Sequence, residues 1–296
     1  MSHPLALLFL SLCFNNSRQR RLYLRSLSNN PKHRTHSTMS HTITIANQTI
    51  SLTSTNPDIQ LDKVLDFQPF KDWIATFDRE QRDHKTKVTI KGVEVQSVDM
   101  FGPKIGFVKF KTDVEFVDNG KKVPGVVFMR GGAVSVLLLL RSHDDEDKTE
   151  RVILTTQPRL AVPSLSFPEL PAGMLDGSGN FAGTAAKEIE EETGLRIKDS
   201  ELTDLTDLAY GSSWRGVYPS AGGSDEFLRL FVCVKHLSAA EIHDLEGKLT
   251  GLRDHGEAIS LKIVPLRDLW RSAPDAKALA SIALYDALKR EGKLHV

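Results

Sequence analysis

The segment ELPAGMLDGSGNFAGTAAKEIEEETGL, Glu169 to Leu195, changes character halfway along. Its first half is rich in glycine (Gly173, Gly177, Gly179 and Gly183), which lets backbone approach a ligand closely. Its second half is a helix pattern. Thr184 is a favourable N-cap ahead of Ala185 and Ala186, and Gly194 is placed as a C-terminal stop, which predicts a helix of about two to three turns. Glu188, Glu191 and Glu192 fall at i, i+3 and i+4 and share one face, while Ala185 and Ile189 point to another and can enter a core. Three like charges on one face repel. A hard divalent cation among them would reverse that, and Mg²⁺ binds a few carboxylates together with substrate phosphates. A solvated acidic helix face is the alternative for these residues taken alone.

Strand patterns lie on both sides of this segment. Ala133 to Leu140 is an unbroken apolar run of strand length, the pattern of a central strand buried on both faces. The charged stretch Arg141 to Glu150 reads as a loop, and Val152 to Thr155 as the returning partner strand. Downstream, strands are expected at Phe227–Val234 and Ile259–Val264, and a helix from about Asp275 to Glu291. Upstream, Ile43, Ile45, Ile50 and Leu52 alternate around Asn47-Gln48 as a small hairpin. Phe67, Phe70, Trp73, Ile74 and Phe77 recur at helical spacing and predict a helix near 67–83. Val88–Val95 and Ile105–Val117 read as strands, and Asp118-Asn119-Gly120-Lys121 as a tight turn, since Asn-Gly tolerates positive φ. The class is mixed α/β, with a β-rich portion over 41–126 ahead of a larger α/β portion over 127–296.

The chain has 296 residues with 38 basic and 38 acidic side chains, so its net charge argues against a nucleic-acid or membrane-surface partner. The balance is uneven along the chain. Met1 to Pro57 holds six Arg or Lys and no Asp or Glu, leaving 32 basic against 38 acidic residues in the rest. Pro4 to Phe14 is apolar but too short to span a bilayer, and Arg18, Arg20, Arg21 and Arg25 follow it among Ser and Asn. Residues 1–40 therefore read either as an organelle transit peptide, which places the body in the mitochondrial matrix, or as a disordered or untranslated extension, with Met39 as the true or an alternative start, in a cytoplasmic protein. Two cysteines, Cys13 and Cys233, make no disulfide framework.

The Glu169–Leu195 segment resembles the Nudix box, G-x5-E-x7-R-E-U-x-E-E-x-G-U with U aliphatic. Aligned from Gly173, the residues Glu188, Ile189, Glu191, Glu192, Gly194 and Leu195 occupy matching positions. Gly179 stands where the family has its first Glu, and Lys187 where it has Arg; Asp176 is a candidate replacement for the missing acid. The resemblance implies a Nudix α/β/α sandwich over 127–296, preceded by a smaller β-rich portion that in relatives forms a homodimer and completes the substrate site.

The likeness extends from about Val98 to Glu291. Val98-Asp99-Met100-Phe101-Gly102, Val123-Pro124-Gly125, Pro219-Ser220-Ala221-Gly222-Gly223 and His255-Gly256-Glu257 resemble the plant-type ADP-sugar diphosphatases and the related ADP-ribose diphosphatases. This implies Mg²⁺-dependent (or Mn²⁺-dependent) hydrolysis of ADP-ribose or ADP-glucose to AMP and a sugar phosphate. By the same resemblance the Ala172 carbonyl, Glu188 and Glu192 bind the metal with Glu191 assisting; Arg159 contacts the diphosphate; Glu169 and Glu226 belong to the substrate site. Glu257 or Glu191 would act as general base. Tyr218 and Trp214 are candidates to stack on the base, or are packing. Two alternatives stand beside this: a Nudix hydrolase for another nucleoside diphosphate derivative, and a non-catalytic nucleotide-sugar sensor, which the Gly179 and Lys187 departures would suit.

Overall fold

The computed structural model describes residues 39–296, except 46, 86, 146–147, 176–178 and 252–257. The leader, Asp176 and Glu257 therefore lie outside the described residues.

The alternating segments upstream of residue 130 assemble into one sheet. β1 (Met39–Ile45) and β2 (Gln48–Ser54) form the expected hairpin, with Asn47 at φ 61 in its turn. Two helices follow, α1 (Leu61–Asp66) and α2 (Gln68–Asp83). The helical spacing from Phe67 pointed to α2; α1 went unread because only Leu61 and Val64 of its six residues are buried. β3 (Val88–Phe101) and β4 (Lys104–Phe116) pair along their whole length, and Gly120 at φ 66 turns the chain into β5 (Lys122–Val123). β6 (Val126–Met129) pairs with β4. One face of this sheet packs on α1 and α2 around Leu52, Val64, Phe70, Val108 and Phe110, with Phe70 and Trp73 set edge-on to the Phe110 ring.

The second sheet is built on β7 (Ala133–Ser142). β8 (Arg151–Arg159) lies on one side of it. Short strands β9 (Ser164–Glu169) and β10 (Ala172–Met174) pair with β8 and β7 and carry the chain into the helix α3 (Phe181–Thr193). After α3 come β11 (Thr203–Asp204), α4 (Leu205–Tyr210) and β12 (Leu228–Leu237), which runs parallel to β7 on its other side. The chain ends through α5 (Ala239–Leu245), β13 (Leu249–Thr250), β14 (Ile259–Pro265), α6 (Leu269–Ser272) and α7 (Ala276–Arg290). The order across the sheet is β11-β12-β7-β8-β14-β13.

The apolar run of β7 is continuous because both its faces are covered. Val134, Val136, Leu138 and Leu140 pack with Ala185 and Ile189 of α3 and Ile242 and Leu245 of α5. Leu137 and Leu139 pack with Leu205 of α4, Leu269 of α6 and Tyr285 and Leu288 of α7. The architecture is helix on sheet on helix, as expected. Cys233 is a buried packing residue of β12, and burial pushes its thiol up to about 11. Among the described residues no helix is long and apolar enough to cross a membrane.

Candidate active site

The acidic helix begins earlier than the sequence indicates. Asn180, not Thr184, is the N-cap: its side chain accepts from the Gly183 amide at 3.0 Å, and the Thr184 hydroxyl donates back to the Asn180 carbonyl at 3.0 Å. The helix gains a turn at its start, and Phe181 and Ala182 join the packing beneath it. Its end is the expected one, with Gly194 at φ 75. Ala185 and Ile189 are fully buried against β7, so the core anchors one face of α3 and turns Glu188 and Glu192 toward β10.

β10 meets those two carboxylates with backbone. The Pro171 carbonyl accepts from the Val136 amide at 3.1 Å, so the next residue in the extended strand faces away from β7. That residue is Ala172, and its amide donates to Glu192 Oε2 at 3.0 Å. In a strand the N–H and C=O of one residue leave the same edge, which sets the Ala172 carbonyl on the side of α3 as well. One residue on, Gly173 has no room for a side chain: a methyl group there would overlap the Glu188 carboxyl.

Glu192 is 6% exposed. Burial is the largest influence on it and pushes its pKa up to about 8; the Ala172 amide opposes the rise, and Glu188 and Glu169 add to it. A carboxyl that is so costly to ionise fits a site completed by a cation. The oxygen donors on hand (the Glu188 and Glu192 carboxylates and the Ala172 carbonyl) are the hard ligands Mg²⁺ takes. Among the described residues no three His, Cys, Asp or Glu side chains gather closely enough to cage an ion alone.

Glu191 sits at the edge of this group, paired with Lys187 at 3.5 Å. Lys187 is mostly exposed. Gly179 has φ 77 and open space around its Cα.

Arg159 ends β8 opposite Ser164, while Glu169 ends β9 opposite Thr155, so the long arginine side chain reaches back along the antiparallel pair: Arg159 Nε donates to Glu169 Oε1 at 2.6 Å. Their charges act on Glu192, so both border the carboxylate group. Glu169 is buried and also accepts from Lys277 Nζ at 2.9 Å. No sequence reading singled out Lys277, although a lone cation in the first turn of a helix runs against the helix dipole and marks an unusual position.

Glu226 stands elsewhere, on the loop before β12, facing Arg130 at 3.3 Å. Its neighbour Asp225 accepts from the Arg130 and Gly131 amides and fixes the approach to β7. Beside this loop opens a cleft of about 930 Å³ between α2, the β3–β4 turn and the Met174–Leu175 end of β10. Trp73, Phe101, Arg215, Tyr218 and Phe227 line it, and Arg215 lies over the Phe227 ring at 4.3 Å while pairing with Asp72 at 2.9 Å. Tyr218 thus faces the cleft; Trp214 stands edge-on to Tyr218 at 6.0 Å and is exposed.

The NUDIX domain model matches residues 129–285. Nudix hydrolase 14, chloroplastic, of Arabidopsis thaliana is 43% identical over 230 residues, covering 77% of this chain and 73% of that protein. The ADP-ribose pyrophosphatase of Bacillus subtilis is 29% identical over 180 residues, covering 60% of this chain and 86% of that one. A solved ADP compounds hydrolase superposes with a TM-score of 0.46 at 18% identity, covering 70% of this chain and 97% of its own.

Proposed function

Because the chain belongs to the NUDIX domain family of hydrolases, we propose that it splits the diphosphate of an ADP-sugar, ADP-ribose or ADP-glucose, to AMP and a sugar phosphate with Mg²⁺. The observation that carries the reading is the pairing of buried Glu192 with the Ala172 amide while Glu188 lies against Gly173. It is a built oxygen site beside an arginine. The names of the Arabidopsis and Bacillus relatives point to the Nudix reaction and to ADP-ribose respectively.

In this reading Glu188, Glu192 and the Ala172 carbonyl hold the ion, with Glu191 assisting. Mg²⁺, or Mn²⁺ in its place, supplies neutralisation of the diphosphate charge and a lowered pKa for water. Arg159 offers its guanidinium to the diphosphate, with Glu169 fixing its Nε. Glu226, through Arg130, shapes the loop on the nucleoside side, and the aromatic cleft beside it receives the base. Water's oxygen joins one phosphorus, the bridging P–O bond breaks, and the water proton goes to Glu257 or Glu191. Glu257, outside the described residues, holds this role by resemblance.

The domain limits are proposed as 41–126 and 127–296. A homodimer through the first sheet is supported by exposed apolar side chains on its strands, Phe101, Val126 and Phe128, with Phe107 bridging Phe101 and Phe128. Delivery to an organelle is supported by the acid-free, Arg-rich leader and by the word chloroplastic in the name of the Arabidopsis relative.

The test offers ADP-ribose, ADP-glucose and a dinucleoside polyphosphate to the purified full chain with Mg²⁺ and follows AMP, with Glu192→Gln as control. AMP from an ADP-sugar, lost in the control, is expected. Preference for the polyphosphate would reassign the substrate, and ADP-ribose binding without AMP would make the protein a sensor.

A further inference from the structure

Four charged side chains form a line from the carboxylate group to the start of α7. Arg159 Nε donates to Glu169 Oε1 at 2.6 Å, Lys277 Nζ donates to Glu169 Oε2 at 2.9 Å, and Lys277 Nζ also donates to Asp275 Oδ1 at 3.0 Å. The line is deeply set: the side chains of Glu169, Asp275 and Lys277 are 4%, 8% and 16% exposed. Only Arg159, at 42%, reaches outward.

Lys277 occupies the second position of α7, two residues past its N-cap Asp275. A cation there opposes the helix dipole, and burying it adds a desolvation cost. Burial draws the ammonium pKa down, yet the Glu169 and Asp275 carboxylates outweigh this and leave it above the usual lysine value. The position therefore retains a charge that neither the helix nor the core favours. What the charge does is occupy one oxygen of Glu169.

The consequence lies on the other oxygen. A buried carboxylate facing one arginine can engage it by two parallel bonds. With Oε2 held by Lys277, Glu169 engages Arg159 through Nε, and among the described residues the terminal nitrogens of Arg159 meet no acceptor. They stay available to a phosphate at the mouth of the site.

We propose that Lys277 is a positioning residue: through Glu169 it holds the Arg159 guanidinium in the pose that meets the substrate diphosphate. The proposal rests on the reading of Arg159 as a diphosphate contact, and its experiment separates the two.

The experiment is a double-mutant cycle on the full chain: wild type, Lys277→Met, Arg159→Ala and the double variant, with Lys277→Arg as the conservative rescue. The readouts are kcat and KM for whichever ADP-sugar the wild type hydrolyses, with the thermal midpoint of each variant. Lys277→Met is expected to lower kcat/KM by about 10- to 100-fold, the scale of an outer partner of a ligating group. Lys277→Arg should recover most of that loss. In the Arg159→Ala background, Lys277→Met should change kcat/KM little, since the side chain it positions is gone. A purely structural lysine would cost the same factor in both backgrounds, and that additive result overturns the proposal. If Lys277→Met does not fold, Lys277→Gln, which keeps a donor for Glu169 without its charge, runs the same cycle. Wild-type turnover with an additive cycle removes the role of Lys277 alone. Absence of both turnover and binding of ADP-sugars removes the reading beneath it, and the role falls with it.

Discussion

Glu188 rests against the α-carbon of Gly173, so closely that any side chain on residue 173 would take the space of its carboxyl group. The contact joins Gly173, the middle residue of β10, to the middle of α3, and it sets where one of the two inward carboxylates stands.

Gly173→Ala tests this contact. The obstructing atoms belong to the far end of a flexible side chain, so Glu188 can swing aside and the fold should persist. The displaced carboxylate should lower kcat/KM by about 100-fold, the scale of an ångström-level misplacement at a reacting centre. A thermal midpoint near wild type with that loss is expected; unchanged activity would show that the Glu188 position is immaterial.

Glu192 should make stability fall as pH rises in chelator-treated protein. Its folded-state pKa is about 8, above the ordinary value of 4.5, so the folded state binds the proton more tightly. The stabilisation is complete below the unfolded pKa and is lost as pH climbs through the folded one. The thermal midpoint should decline between about pH 4.5 and 8 and level off above, and Glu192→Gln should flatten that decline. Mg²⁺ competes with the proton, so its stabilising effect should be larger at pH 8 than at pH 6. Parallel melting curves for wild type and Glu192→Gln across this range would contradict the assignment.

The two departures from the box pattern should prove unequal when substituted. Gly179 has φ 77, so Gly179→Glu forces a side chain into the left-handed region and should cost about 1 kcal/mol by chemical denaturation. Lys187 is 70% exposed and its pair with Glu191 spans 3.5 Å, so Lys187→Ala should change stability by less than about 1 kcal/mol. A stabilised Gly179→Glu variant would mean that the loop leaves the left-handed conformation to accept the side chain.

What the sequence revealed follows from how local each signal is. Ala133 to Leu140 announced β7 because burial on both faces leaves no polar position in the run. Glu188 and Glu192 were legible as one face because helical spacing is a local rule. The start of α3 was misread because Gly183-Thr184 looks like a loop meeting a cap, whereas the true cap, Asn180, is recognisable only by the amide it accepts. β9 was hidden by Pro168, which reads as a strand breaker but sits on a strand paired on one side. The parallel register of β12 on β7 and the contact of Lys277 with Glu169, 108 positions apart, have no local period that could encode them. Both depend on how the layers close.

Arg159 should prove irreplaceable by lysine. Its guanidinium gives Nε to Glu169 at 2.6 Å, and the side chain is 42% exposed. Lysine carries the same charge as a single point on a flexible stem, so it can satisfy buried Glu169 or reach a phosphate but lacks the planar fork that does both. Arg159→Lys should therefore keep the thermal midpoint close to wild type, because Glu169 retains a cation, while kcat/KM falls by about 10- to 100-fold for the preferred ADP-sugar. Arg159→Ala should lose at least as much activity and also lower the midpoint, since Glu169 then keeps Lys277 as its sole cationic partner among the described residues. Steady-state kinetics paired with melting curves decide it. If Arg159→Lys retained full activity, charge alone would suffice at this position, and the divided geometry of the guanidinium would have no part in the chemistry.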